Sequence, residues 1–370
     1  MKIAIVGGGI VGLAHAYWAQ KSGHQVILFE RNSKAHGASV RNFGLIWPIG
    51  QKEGKNRRLA LDSRNTWIEL SEKAGFWLNQ NGSLHLAYQP LEWEVLNQFV
   101  QNTPSASYDL LETSKLISRS PYLNTQNLIG GLVSETECTV NPREALQKLA
   151  DYLNSLPKVS IFYEEVVLDI NATHITTSRR KEPMDLAIVC SGIDYQTLFQ
   201  DFFEKEPLTK CKLQMMKGVG TPELPLGPTL CGGLTLLHYQ SFHRCPSLSL
   251  LNENISKEWT GYQELGIHVM LAQHDQFELI IGDSHQYGSE ISPFDNQKID
   301  DMILDYLNSF ARLPGLEIIE RWHGVYSKTT DGTNYIRVKP ANNVTVVTGL
   351  GGAGMTLSFG IAKETIKQMV

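Results

Sequence analysis

No two of the five cysteines (Cys138, Cys190, Cys211, Cys231, Cys245) form a CxxC pair, and none stands in a metal-type cluster with histidine. That argues against a disulfide framework and a zinc site, so no metal is expected, and an odd, scattered set suits buried thiols in a reducing cytosol. An excess of one charge is also missing. A net charge of −5 gives no reason to expect nucleic acid or an anionic membrane as partner. No stretch of about 18 apolar residues runs free of charge, so no membrane span is expected. Internal repeats and low-complexity tracts are absent. The N-terminus has the lysine and apolar run of a signal peptide, but it carries "GGG" and continues into "HQVILFE". It therefore reads as part of a folded domain, and a cytoplasmic location is expected.

What is present is apolar material: 42% hydrophobic against 19% charged over 370 residues, enough for two interlocked domains sharing one ligand. "KIAIV" reads as a central parallel strand. Gly7, Gly9 and Gly12 follow in GxGxxG spacing, a helix runs through "LAHAYWAQKSG", and "HQVILFE" ends in Glu30. Each glycine has a duty: Gly7 turns the chain, Gly9 lets backbone approach a pyrophosphate at the helix N-terminus, and Gly12 lets helix and strand pack closely. Ile10 and Val11 open that helix. Glu30, with Arg31 beside it, is placed to accept bonds from ribose hydroxyls. The motif suits NAD or FAD, whereas Glu30 would repel the extra phosphate of NADP.

Two later segments favour FAD. "MDLAIVCSGID" is a buried strand ending at Ser191 and Gly192, preceded by a strand pair in which Val166 and Val167 suit an adenosine. Near the C-terminus, Val344–Thr348 leads into Gly349, Gly351, Gly352, Ala353 and Gly354, then a helix from about Met355 and Thr356 to Met369. The amides opening that helix can face a flavin ring and stabilise negative charge on it. These segments, together with "GASVRNFG", "GGLVSETECTVNPREAL" and "ELIIGDSH", resemble the FAD-dependent D-amino acid oxidase superfamily, which includes glycine and sarcosine oxidases. The resemblance covers almost the whole chain. It implies an α/β architecture: a Rossmann-like FAD-binding domain (glutathione reductase type 2-like) of residues 1–85, 136–208 and 322–370, and a mostly antiparallel β-sheet substrate domain of 86–135 and 209–321. "GSLHLAY", "LSLLN", "IHVMLAQHD" and "FELIIGDSHQYG" read as strands of the second domain, and "NQKIDDMILDYLNSFARL" as a packing helix.

The resemblance also implies oxidation of the C–N bond of a small amine, with oxygen or another electron acceptor. Where sarcosine oxidases carry a flavin-linked Cys, this chain has "GVYSKTTDGT", so FAD is expected to be non-covalent. Where amino acid oxidases hold the substrate carboxylate with an Arg in the C-terminal glycine loop, this chain has Gly352 or a neighbouring glycine. The sarcosine oxidase lysine on the flavin-facing strand corresponds to Ile280. An anionic tail must then be held by other groups. His285 and Arg41 are the catalytic candidates, with Asn42, Tyr239, His268 and Arg337 for substrate and His243 and Arg244 as further cations. Arg244 and Arg337 taken singly also read as surface charges, and His268 and Tyr239 as core residues. In "GASVRNFG", Gly37, Ala38 and Ser39 suit the pyrophosphate, and Asn42 and Phe43 continue toward the flavin. Arg41 could serve cofactor or substrate. "GASVRNFG", "GDSHQYG" and "GLGGAGMTLSFG" together are similar to a subgroup associated with aminophosphonate breakdown, which implies an N-alkyl aminophosphonate. The alternatives are a D-amino acid or glycine oxidase, an NAD-dependent dehydrogenase, and a flavin-binding sensor without turnover.

Overall fold

The computed structural model describes residues 1–103, 105, 107–220 and 224–369. The apolar run Lys2–Val6 forms strand β1, and Gly7 turns the chain at φ +102° into helix α1, Ile10–Lys21. Strand β2, Gln25–Phe29, returns parallel to β1 with Ile3 opposite Val26. Helix α2, Lys55–Ala74, buries Leu59, Ala60, Ser63, Trp67 and Leu70 and ends on Gly75 in the left-handed conformation.

The chain then builds a nine-stranded sheet around one long strand, β3, Leu208–Val219. Met270–Gln273 (β4) and Leu279–Gly282 (β5) pair antiparallel, with β5 against β3. Glu317–Thr329 (β6) runs along β3 from end to end, Leu208 opposite Thr329 and Val219 opposite Glu317. The far half contains Ser83–Ala87, Tyr108–Glu112 and Gly130–Ser134. Its one parallel pairing joins Ser83–Ala87 to Thr229–Cys231. After β5 the ladder breaks at Asp283, Ser284 and His285 before Gln286–Gly288 resumes pairing with β3. Across this gap Asp283 N donates to His268 O at 2.9 Å, so both side chains belong to one irregular corner.

Val344–Thr348 (β7) returns to the first sheet, parallel to Leu186–Val189. The six-stranded order is Ile336–Ala341, β7, Leu186–Val189, β1, β2, Val159–Phe162. Helix α3, Gly354–Met369, packs on α1 and α2. A Cβ on Gly360 would stand 2.4 Å from the Leu59 carbonyl oxygen, so only glycine permits this approach.

The expected α/β architecture of a dinucleotide-binding sheet beside a separate sheet is what the chain forms. Local expectations need correction. "LSLLN" is no strand but the start of a helix, Leu248–Glu258, whose Leu251 and Ile255 are buried one turn apart. The expected breaks at 85/86 and 321/322 fall inside strands: Ser83–Ala87 and all of β6 belong to the nine-stranded sheet. β3 likewise starts at Leu208, one residue inside the segment assigned to the first domain. Among the described residues no helix is long and apolar enough to cross a membrane.

Candidate active site

The glycines after β1 leave no space for side chains. A Cβ on Gly7 would lie 2.4 Å from the Cys190 carbonyl oxygen, and one on Gly12 would lie 1.9 Å from that of Gly7. Gly9 faces the Ser39 hydroxyl, which accepts from Ile10 N at 3.0 Å and so occupies a free amide of the α1 N-terminus. Glu30 is nearly buried at the end of β2. Its carboxylate accepts from Gly8 N at 2.8 Å, Asn32 N at 2.9 Å and Asn32 Nδ2 at 3.0 Å. Arg31 pairs with Asp194.

From here a cavity of about 540 Å³ runs between the two sheets. Its wall includes Gly7, Gly9, Ile10, Val11, Glu30, Gly37, Ala38, Ser39, Ser191, Gly192 and the C-terminal loop from Gly349 to Thr356. Gly349 and Gly351 have φ +77° and +57°, a backbone that turns the loop toward the cavity before α3 begins. Glu165 and Val167 line the cavity. Val166 is outside the lining, and its amide and carbonyl are bonded to Ser178. Gly12 serves packing rather than contact.

In "GASVRNFG" the two polar residues separate. Asn42 Nδ2 donates to Ala38 O at 2.8 Å and its Oδ1 accepts from Gly44 N at 2.7 Å, so the side chain ties the loop to itself. Arg41 is exposed at the cavity wall and has no ion-pair partner among the described residues. Phe43 is buried in that wall, and its carbonyl accepts from His274 Nε2 at 2.8 Å.

The far end of the cavity is lined by His238, Tyr239, His268, Asp283, His285, Tyr326 and Lys328. His285 Nδ1 donates to Gly266 O at 3.0 Å; a carbonyl can only accept, so the lone pair of His285 lies on Nε2. His268 Nε2 is 3.1 Å from Asp283 Oδ1, off hydrogen-bond geometry, and His285 Nδ1 is 3.9 Å from the same oxygen. Burial holds the His285 imidazole down at about 4 and those of His238 and His268 well below the usual value, each pushed further by the Lys328 charge. Burial also raises the Asp283 carboxyl well above the carboxylate range. Burial thus favours the uncharged form of each of these groups. Lys328, on β6, bonds the Tyr287 hydroxyl at 2.9 Å, and burial lowers its ammonium.

Of the candidates, His285, His268, Tyr239, Arg41 and Asn42 come together at this cavity, and Arg337 does not. Arg337 lies on Ile336–Ala341 and donates to Thr365 of α3, outside the lining, so it cannot hold substrate there. Arg244 lies on a separate small recess beside Arg57, and His243 is also outside the lining. His238, Asp283, Tyr326 and Lys328 were not singled out from the sequence. Alternation along β6 is the available signal, since residues two apart on a strand share a face.

Fold and cavity define the class: an oxidoreductase that holds a dinucleotide in an α/β domain and covers its reactive end with a second sheet. The chain belongs to the family of FAD dependent oxidoreductases typified by D-amino acid oxidase, whose model matches residues 2–368. It is 23% identical to a D-amino acid dehydrogenase of Helicobacter pylori over 248 residues, 52% of this chain and 60% of that protein. The match thus spans about three fifths of the first curated relatives. It is 21% identical to a glycine oxidase of Bacillus licheniformis, covering 92% of this chain and 84% of the relative. The fold is that of the L-proline dehydrogenase from P. horikoshii, with TM-score 0.79, 19% identity and coverage of 100% and 93%. The family decides between the two dinucleotides in favour of FAD, and the NAD-dependent reading falls. The glycine cradle, the Ser39 hydroxyl seated on the α1 N-terminus and the buried Glu30 fit the group. FAD is held without a covalent link: Gly324–Asp331 carries no cysteine, and the cavity's Cys190 thiol sits by Gly7 and His15, driven up by burial.

Proposed function

We propose that this enzyme oxidises the C–N bond of a small amine bearing an anionic tail, an N-alkyl aminophosphonate by preference. The observation behind this reading is the polar wall beside the glycine loop, where Lys328 bridges to Leu350. That loop offers no arginine, while His238, His268, His285 and Lys328 line the cavity. Bound FAD supplies the two-electron chemistry, accepting a hydride from the carbon beside nitrogen. Ser39, Glu30, Gly7, Gly9 and the amides from Gly351 to Thr356 would hold it.

The chain's own residues orient the substrate and keep water out. His285 faces the amine through Nε2, the nitrogen with the lone pair, and can take its proton. Tyr239 is fixed by its hydroxyl on Met270 Sδ at 3.2 Å and presents its ring to Trp47, closing one side. Arg41 at the exposed rim draws in the anionic tail. Electrons leave to oxygen or another acceptor. The five buried free cysteines suit a reducing cytoplasm.

The test is anaerobic mixing of the yellow holoprotein with glycine, N-methylglycine, D-amino acids and N-alkyl aminoethylphosphonates. Phosphonates are expected to bleach the flavin fastest. Bleaching by carboxylate amines alone sinks the tail assignment and favours the D-amino acid or glycine oxidase reading. Bleaching by none sinks amine oxidation and leaves a flavin-binding sensor.

A further inference from the structure

Lys328 and the three histidines form a patch of unusual electrostatics. Lys328 is a half-buried cation in the cavity wall with no carboxylate partner among the described residues. Beside it the imidazoles lie against one another. Ring centroids are 3.8 Å apart for His238 and His268, 4.7 Å for His238 and His285, and 5.0 Å for His268 and His285. Both ring nitrogens of His268 and Oδ1 of Asp283 are buried without a hydrogen-bond partner. Such groups are costly unless something enters to meet them, roughly 1–3 kcal/mol each. The ring nitrogens lie within 4.8 Å of one another, the spacing of a possible metal site. The rings are tilted by 36° for His238 and His268 and nearly parallel, at 19°, for His268 and His285, and a divalent metal held there is one of the outcomes that decides the test below.

We propose that Lys328 and the His238–His268–His285 stack form a proton-coupled site for a doubly charged anion, with Lys328 supplying the standing charge and the stack taking up one proton as the anion enters. This deepens the amine-oxidation reading and rests on it for the nature of the substrate. Three adjacent imidazolium ions would repel one another and Lys328, so the empty stack is neutral. A dianion meeting Lys328 leaves one negative charge uncompensated, and its field raises the proton affinity of the nearest imidazole. A monoanion is neutralised by Lys328 alone and recruits no proton.

The other groups facing the stack do not cancel this. Burial pushes the Asp283 carboxyl toward its uncharged form, which weakens its opposing charge, and His243 adds a repelling field at His238. Tyr239, Tyr287 and Tyr326 are all raised by burial and stay neutral phenols. The thiol of Cys211, raised to about 11, is likewise neutral. The substrate can supply the proton itself. An N–H bond of its ammonium breaks, an N–H bond forms on imidazole, and total charge is conserved. The amine is left with the lone pair that C–H cleavage requires, while the imidazolium pairs with the tail. One transfer thus activates the amine and completes tail binding.

The test uses holoenzyme and sulfate, which carries two charges and takes up no proton at mildly alkaline pH. Calorimetric titration is run in two buffers of different ionisation enthalpy, with acetate as the monoanion. Sulfate is expected to perturb the visible flavin spectrum and to give buffer-dependent heat in the direction of proton uptake. Acetate is expected to bind at least about tenfold more weakly and without buffer dependence. Lys328→Met should weaken sulfate by about tenfold or more, roughly 1.4 kcal/mol, with FAD content unchanged, and Lys328→Arg should retain binding. His238→Gln should reduce the proton uptake. No sulfate binding, buffer-independent heat, equal affinity for acetate, or a stoichiometric divalent metal retained by purified holoenzyme overturns the proposal. Sulfate binding requires no turnover. Uptake without oxidation of any amine sinks the oxidation reading alone, and oxidation without uptake sinks this site alone.

Discussion

Arg41 and Asn42 are neighbours with opposite duties. Both amide ends of Asn42 are spent on its own loop, whereas Arg41 lines the cavity with no ion-pair partner among the described residues. Arg41→Ala is therefore expected to raise KM several-fold and leave flavin content unchanged. Asn42→Ala is expected to lower FAD retention on gel filtration, because Ser39 loses its support. Equal FAD loss in both variants would refute the division. The sequence placed both residues beside the cofactor but could not separate them, since the distinction lies in which backbone atoms each side chain reaches. Lys328 was missed for a similar reason. Nothing local in "GVYSKTTDGT" sets the lysine's direction; it comes from β6 pairing with β3, a contact more than a hundred residues away in the chain.

Between elements, the decisive contact is α3 on α2. The Gly360 amide donates to Ser63 Oγ at 2.9 Å, and the helix backbones meet where any Cβ would strike Leu59. Gly360→Ala should force the helices apart and cost about 1–3 kcal/mol. Because α3 carries Met355 and Thr356 at the cavity, FAD affinity should fall with stability. Urea unfolding with and without added FAD measures both, and a variant as stable as the parent would count against this packing. Elements with strong periodicity were legible from the sequence: β1, α1, β2, β7, α3, and the helix Gln297–Phe310 with Ile299, Ile303, Leu307 and Phe310 buried. Leu248–Glu258 was misread because five residues of "LSLLN" do not distinguish a two-residue from a 3.6-residue period. Domain breaks were misplaced where strands cross from one sheet's neighbourhood to the other's, as β6 does.

For the whole molecule, buried histidines set the response to acid. Burial holds His15 and His285 at about 4 and His85 at about 3, with His268 also well depressed. Each binds a proton more readily unfolded than folded, so stability is full above about pH 6.5 and falls as pH drops toward 4, by up to roughly 1.4 kcal/mol per unit per group. Glu92, pushed up to about 7, and Asp283 act in the opposite direction, but the histidines outnumber them. Urea midpoints are expected to fall steeply between pH 6.5 and 5, with His85→Leu flattening the decline. A flat profile there would contradict these burials.

β7 and α3 come late in the order of elements, yet β7 completes the sheet that contains β1, and α3 packs directly on α1. On the ribosome, the leading segment Lys2–Lys21 must wait through the synthesis of the entire second sheet before its remaining neighbours emerge. Cofactor loading is thereby expected only after the segment 344–369 has been made, and until then the nascent chain carries an unfinished nucleotide cradle.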